Sequence, residues 1–124
     1  MNGRSKGEIE GEVSKLIVQF EKEYMGRGPS EVRTHVVEDM VLVRLKGVLT
    51  RAEQKLISGQ DGTELIKKLR ATLLENTKEP LYEGIKSITN LEVITFHTDI
   101  STVSGEKVII FTLSDDLEKK LRKF

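Results

Sequence analysis

A short segment near the end of the chain combines side chains that can bind ions or move protons. His97 and Asp99 are separated by one residue, and Ser101 and Thr102 follow them. Alternate side chains of a β-strand point to the same face, so a strand here directs His97 and Asp99 together. Such a pair can bind a cation, orient a polar ligand or share a proton. Spacing alone favours the alternative, in which Asp99 and Ser101 bond loop amides and His97 lies on a solvated face.

Arg44 is a second candidate because it interrupts an apolar strand at a position predicted to face away from the core. If the two hairpins of the chain join in one sheet, Arg44, His35, His97 and Asp99 share that face. An arginine beside Asp99 would form a bidentate pair or an anion site. A surface salt bridge of little energetic weight explains Arg44 equally well, and the residues leave both possibilities open.

The loop Gly26-Arg27-Gly28-Pro29 offers backbone amides and a cation, which together can hold an anion. It lacks the lysine and the strand-to-helix context of a P-loop, and helix termination explains both glycines. The two histidines, His35 and His97, are far apart in sequence, and the chain has no cysteine. We therefore expect no metal site, no cofactor and no catalytic residue, although spacing does not decide whether the protein is an enzyme.

The elements that position these residues begin with a helix. Ser5 and Glu8 form a capping box, and apolar residues recur at helical spacing from Ile9 to Tyr24. The loop at 26–29 then stops the helix, because glycine permits the turn and proline prevents continuation. Two strands rich in β-branched residues follow and form a first hairpin through a tight turn at Glu38-Asp39. We predict these strands at Val32–Val37 and Met40–Lys46.

A second helical region and a second hairpin complete the pattern. Thr50 and Glu53 form another capping box, which opens a short helix ending near 58–59. A longer helix starts at 61–64, and Pro80 predicts a break or kink within it. The last two strands are joined by a longer loop, and Ser114 is placed to cap a final helix. We predict these strands at 91–100 and 107–113.

The sequence thus predicts an α+β fold with element order α-β-β-α-α-β-β-α, in which two hairpins supply four mainly antiparallel strands and the helices pack on one face. The 124 residues fit a single domain over residues 1–124. The 20 basic and 20 acidic residues balance, which argues against general nucleic-acid binding and permits a homodimer with little repulsion. The absence of cysteine suits a reducing cytoplasm. We expect neither a secretory signal in residues 1–10 nor a transmembrane segment.

Three stretches together resemble the bacterial MpsC-type domain, whose name refers to a Na⁺-translocating, membrane-potential-generating system. They are GRGP at 26–29, DMVLVRLKGVLT with AE at 39–53, and HTDIST with GE at 97–106. The resemblance extends from about Ile9 to Leu121. It implies an accessory component of a membrane cation or bicarbonate-related system. The positions that match the family pattern are Arg27, Arg44, Thr50, Glu53, His97, Asp99, Ser101 and Gly105.

Our leading hypothesis is a non-enzymatic accessory or regulatory domain that is cytoplasmic, reaches a membrane through a protein partner, and forms a homodimer. The alternative is a small-ligand or anion-binding domain that uses a sheet-face cluster of Arg44, His97 and Asp99 in a concave pocket. Nucleic-acid binding is the weakest possibility, since the charge is neutral and aromatic residues are few. The candidate ligand- or partner-binding residues are Arg27, Arg44, His97, Asp99, Ser101 and Thr102.

Overall fold

The computed structural model describes residues 4–122. Over this range the predicted α+β class and element order are confirmed. The elements are α1 (Lys6–Tyr24), β1 (Glu31–Val37), β2 (Met40–Lys46), α2 (Arg51–Leu56), α3 (Gln60–Thr89), β3 (Val93–Ile100), β4 (Lys107–Leu113) and α4 (Leu117–Leu121). Ser5 and Thr50 cap α1 and α2 through the predicted capping boxes, with Glu8 and Glu53 bonding back to the cap amides. Local hydrogen bonds therefore set both helix starts.

The four strands form one antiparallel sheet in the order β1-β2-β4-β3. Each hairpin stays intact, and β2 and β4 join the two hairpins at the centre. Buried positions alternate with exposed or half-buried ones along β2 and β4, so one face of the sheet belongs to the core and the other does not. The core face of these strands consists of Val41, Val43, Leu45, Ile109, Phe111 and Leu113.

The last helix is capped by Asp116, so the prediction that Ser114 caps it is wrong. The Asp116 carboxylate accepts a hydrogen bond from the Lys119 amide at 2.8 Å. Ser114 is already engaged with Glu92: its amide donates to the Glu92 carbonyl and its hydroxyl accepts from the Glu92 amide. Ser114 therefore extends the pairing at the sheet end, and the helix begins three residues later, at Leu117.

Helix α3 continues through Pro80, where we expected a break or kink. A proline within a helix removes one amide donor to the carbonyl four residues earlier, here that of Asn76. Both residues are exposed, so water can replace the lost hydrogen bond. Apolar contacts on the opposite side of the helix, at Leu81 and Ile85, remain fully buried. The helix also begins at residue 60 with Gly59 as its N-cap, slightly before the predicted start.

An irregularity in β3 interrupts the alternation of side chains next to Val93. Val93 pairs with Leu113, and Thr95 pairs with the adjacent Thr112, so Ile94 is an extra residue in the strand. Val93 consequently packs against the core. Strict alternation along the strand would have placed it on the same face as His97. Ile94 is 60% exposed. On the C-terminal side of this bulge, His97 and Asp99 share one face of β3, as predicted, and Phe96 lies on the other face.

The junction between α2 and α3 has no room for a side chain at Gly62. A Cβ atom there would lie 1.6 Å from the Leu56 carbonyl oxygen, which belongs to the backbone of α2. We expect Gly62→Ala to lower the free energy of unfolding by about 2 kcal/mol or more, because α2 must move. Urea denaturation measures the loss. Gly11→Ala is the matched control, since Gly11 also lies inside a helix and its Cβ would meet nothing within 4 Å; equal losses would contradict a steric cause.

Candidate functional site

Within residues 4–122, one face of the sheet carries exposed or half-buried side chains and is not covered by helices, and we call it the open face. Its central row runs across all four strands, with His35 opposite Leu42, Leu42 opposite Ile110, and Ile110 opposite His97. Leu42, Val108 and Ile110 are only half-buried there. The open face comprises Arg33, His35, Val37, Met40, Leu42, Arg44, Thr95, His97, Asp99, Val108, Ile110 and Thr112.

His97 and Asp99 share the open face, as predicted, and line a shallow hollow of about 130 Å³ together with Val108 and Ile110. The Asp99 side chain is 85% exposed, and its Oδ1 atom lies 3.8 Å from Lys67 Nζ. The same oxygen accepts a hydrogen bond from the Ile100 amide at 2.9 Å. Exposed ion pairs of this kind contribute little energy, so the hollow is a surface feature without strongly held polar groups.

Arg44 also lies on the open face but does not pair with Asp99. Val108 stands between them in the sheet, opposite Arg44 on one side and Asp99 on the other. Two strand spacings amount to about 10 Å, too far for a direct contact. Arg44 instead donates to the Glu106 carboxylate at 2.9 Å, so it does reach the second hairpin. Arg44 and Asp99 therefore do not form a direct bidentate pair.

Ser101 organises the loop between β3 and β4. Its amide donates to the Glu106 carbonyl, its carbonyl accepts from the Gly105 amide, and its hydroxyl accepts from the Ser104 amide at 3.3 Å. Gly105 has a φ of 73°, which glycine adopts without strain. Thr102 is half-buried in the same loop. These contacts are those of an ordinary turn, the alternative that spacing had favoured.

Arg27 contacts the segment that follows β2 and not the open face. Its Nη1 atom donates to the Leu49 carbonyl at 3.1 Å. Its amide donates to the Glu21 carbonyl, which closes the end of α1. In the part of the chain described, Arg27 thus links the α1–β1 loop to the segment leading into α2. This contact explains its place in the GRGP loop without a bound anion.

Four buried charged residues form a cluster that the sequence did not reveal. We call Glu21 of α1, Glu53 of α2, Arg70 of α3 and Lys107 of β4 the ion cluster; each is at most 8% exposed. Arg70 donates to both Glu53 oxygens at 2.8 Å and to the Val48 carbonyl at 2.9 Å. Lys107 donates to Glu21 at 2.8 Å. The cluster therefore joins three helices to the sheet.

A sequence signal for two of these residues did exist. Glu21 follows Ile17 by four positions and so lies in the apolar stripe of α1. Lys107 is opposite Leu45, at a core-facing position of β4. A charged residue in phase with buried neighbours predicts a buried partner of opposite charge. Arg70 and Glu53 carry no such signal, because α3 has polar residues on several sides and Glu53 is already explained as a capping residue.

Burial and pairing act in opposite directions within the ion cluster. Burial lowers the pKa of Lys107, and the Glu21 carboxylate beside it opposes that shift. Burial also works against the charged form of Glu53. Hydrogen bonds from Arg70 and Thr50 outweigh this effect and hold the pKa of Glu53 below its ordinary value of 4.5. Glu53 is therefore charged when the protein is folded, even in moderately acidic solution.

The Glu53 carboxyl makes stability depend on pH in the acidic range. As the pH falls, Glu53 is protonated in the unfolded chain before it is protonated in the folded protein. The ionised carboxylate therefore contributes its full stabilisation above about pH 4.5, and this stabilisation is lost as the pH falls through the lower pKa of the folded state. We expect Glu53→Gln to be clearly less stable than the unmodified chain at pH 7, and the difference to shrink as the pH falls below about 4.5. Urea denaturation across this range measures the difference. Glu83→Gln, at an exposed site, is the control; a pH-independent difference would contradict the linkage.

The fold and its surfaces define a small α+β domain with one bare sheet face and a charged cluster in its core. Comparison with known proteins gives the family: residues 5–115 match the model described as Na⁺-translocating membrane potential-generating system (MpsC). The chain belongs to this family, which confirms the resemblance seen in the sequence. Membership associates the chain with a Na⁺-translocating, membrane-potential-generating system.

Two relatives from Bacillus subtilis (strain 168) extend this result. The uncharacterized protein YbcI is 47% identical over 120 residues, covering 97% of both chains. The uncharacterized protein YrhF is 24% identical over 110 residues, covering 88% of this chain and 90% of its own. No solved structure was found to match the chain. None of the helices between residues 4 and 122 is both long enough and apolar enough to cross a membrane.

Proposed function

We propose that the protein is a non-enzymatic accessory component of a Na⁺-translocating membrane-potential-generating system, and that it acts through protein contacts as a homodimer. The observation that carries the proposal is the open face, where Leu42, Val108 and Ile110 form an apolar centre with polar side chains around it. A bare sheet face with this arrangement is typical of a protein interface. A second copy of the chain is the occupant we propose.

The distribution of charge supports a second copy. Consider a twofold axis that runs parallel to the strands, between β2 and β4. It places β3 of one copy over β1 of the other, and β4 over β2, as in aligned sheet packing. Arg33 and Asp99 occupy the same row of the sheet at opposite edges, so each Arg33 then faces Asp99 of the second copy. The same rotation brings Leu42 over Ile110, which buries the apolar centre.

The size of the open face is sufficient for such a dimer. Four strands at about 4.8 Å spacing and seven residues at about 3.3 Å give a face of roughly 19 by 23 Å. Two copies would bury about 900 Å² even when each face is counted as flat. Side-chain relief increases that area, which brings it near the ~1,000 Å² expected of a specific interface. The formal net charge of zero adds no general repulsion between copies.

The first test places a charge at the centre of the open face. We expect Ile110→Asp to convert the dimer to a monomer, because the carboxylate would be buried without a partner. Light scattering coupled to size-exclusion chromatography measures the mass. Ile94→Asp is the matched control, since Ile94 is on the same sheet but 60% exposed and not part of the open face. A monomeric unmodified chain at about 100 µM, or an Ile110→Asp variant that stays dimeric, would contradict the proposal.

The second test exchanges the charges at the two edges. Arg33→Asp and Asp99→Arg should each weaken dimerisation by about three- to tenfold, because each places like charges opposite one another twice per dimer. The double variant should regain most of the affinity. Analytical ultracentrifugation gives the three dissociation constants. A double variant that is weaker than either single variant would rule out the proposed twofold arrangement while leaving dimerisation itself intact.

The role in the membrane-potential system requires a cellular measurement. A strain that lacks the gene should show a reduced membrane potential with a potential-sensitive dye when external Na⁺ is raised. The Ile94→Asp variant should restore the potential and Ile110→Asp should not, since only the second alters the open face. Full restoration by Ile110→Asp would show that the open face is not needed for the role.

A further inference from the structure

We propose that a cleft beside the ion cluster binds a small oxyanion of carboxylate or phosphate type. The cleft has a volume of about 230 Å³ and lies between α3 and the adjoining ends of β3 and β4. Its lining includes Lys67, Arg70, Thr98 and Lys107, with Asp99 at the same edge strand. Of the residues that line this cleft, only Asp99 also belongs to the open face, and the ligand donors proposed here, Arg70 and Lys107, do not.

One nitrogen atom of Arg70 has no hydrogen-bond acceptor within the described part of the chain. Its Nε and Nη2 atoms are used by Glu53 and the Val48 carbonyl, whereas Nη1 is buried without a hydrogen-bond partner. The side chain is only 6% exposed. Glu21 Oε1 is 3.9 Å from Nη1, beyond hydrogen-bond distance. A buried donor without an acceptor costs free energy, so a ligand that accepts there is favoured.

Lys107 adds to this excess of donors. An ammonium group has three N–H donors. Among the described residues, Lys107 uses one of them in its hydrogen bond to Glu21. Among the described residues, Glu21 Oε1 is the one buried side-chain acceptor without a hydrogen bond; it lies 3.9 Å from Arg70 Nη1, and Glu21 does not line the cleft. A ligand that only accepts hydrogen bonds, such as a carboxylate or phosphate, matches an arginine and a lysine whose donors exceed the nearby acceptors.

The charge of the lining agrees with an anionic ligand. Lys67, Arg70 and Lys107 contribute three cations and Asp99 one carboxylate. Glu21 and Glu53 already offset Arg70 and Lys107, so we expect a moderate affinity and saturation at millimolar anion concentration. A water molecule occupies about 30 Å³ in the liquid, so the cleft has room for a small oxyanion with some of its hydration shell. Lys67 lies 3.8 Å from Asp99 in a weak, solvent-exposed pair, so its ammonium group can turn toward the anion as it enters.

The test is a titration of the full chain, labelled with ¹⁵N, followed by amide chemical shifts. Inorganic phosphate and acetate are added separately, and sodium chloride keeps the ionic strength constant. We expect saturable shifts at Lys67, Arg70, Thr98 and Lys107 with at least one anion, and the one that saturates at lower concentration identifies the preferred class. Shifts that grow linearly, or that spread over the whole surface, would overturn the proposal and leave the cleft filled by water alone.

Arg70 supports the core, so its replacement could unfold the protein. Two test variants and one control at other positions avoid this problem. Lys67→Gln should weaken binding about fivefold, whereas Lys68→Gln, next to it on α3 and exposed but not in the cleft, should not. Ala71→Leu should abolish binding without changing any charge, because Ala71 lines the cleft and leucine fills it. Binding that is unchanged in Ala71→Leu, with the spectrum of a folded protein, would place the anion elsewhere.

Discussion

Replacing Arg70 by methionine is expected to lower the free energy of unfolding by about 3–5 kcal/mol, because it leaves the buried Glu53 carboxylate without its cation. Glu53 would lose both of its 2.8 Å hydrogen bonds from Arg70, and the Val48 carbonyl would lose its donor. Urea denaturation followed by circular dichroism measures the change. Lys68→Met on the same helix is the control, since Lys68 is exposed.

The cause of that loss can be separated from simple loss of packing. Adding Glu53→Gln to Arg70→Met removes the carboxylate that has lost its partner, so we expect part of the stability to return. Glu21 keeps Lys107 as a partner in both variants, at 2.8 Å. If the two substitutions instead destabilise additively, the unpaired charge is not what makes Arg70 important.

Replacing Phe111 by alanine should cost a similar amount, about 3–5 kcal/mol, for a different reason. Phe111 is fully buried on the core face of β4, and its ring centre lies 5.3 Å from that of Phe96. Removing the ring opens a cavity under the central strands, which cannot collapse around a rigid sheet. Phe111→Leu is the graded control and should cost distinctly less. Equal losses for alanine and leucine would show that aromatic contact, and not volume, dominates at this position.

Much of the architecture could be predicted because its signals are local. The hydroxyl of Ser5 or Thr50 and a glutamate three residues later satisfy amides within one helical turn. Alternation of apolar residues in β2 identifies its buried face without knowledge of its neighbours. Pro80 misled the prediction because the cost of a proline depends on whether water reaches the freed carbonyl, and that depends on how α3 packs.

The site was harder to predict because its contacts join distant segments. The sequence placed Arg44, His97 and Asp99 on one face correctly, yet the strand order decides that Val108 separates Arg44 from Asp99. A pairing register between two hairpins has no short-range signature. The ion cluster is similar: Glu21 and Lys107 are brought together only when α1 packs on the sheet. Arg70 resembles any polar residue of a long helix until its neighbours are known.

The strand order also has a consequence for the rate of folding. Each hairpin can form from neighbouring residues, and α1 and α3 can begin locally. The central β2–β4 contact, in contrast, joins segments separated by all of α2, α3 and β3. Closing so long a loop loses chain entropy before any compensating contact forms. We therefore expect the docking of the two hairpins to be the slow step, with β2 and β4 exposing unpaired edges until it occurs.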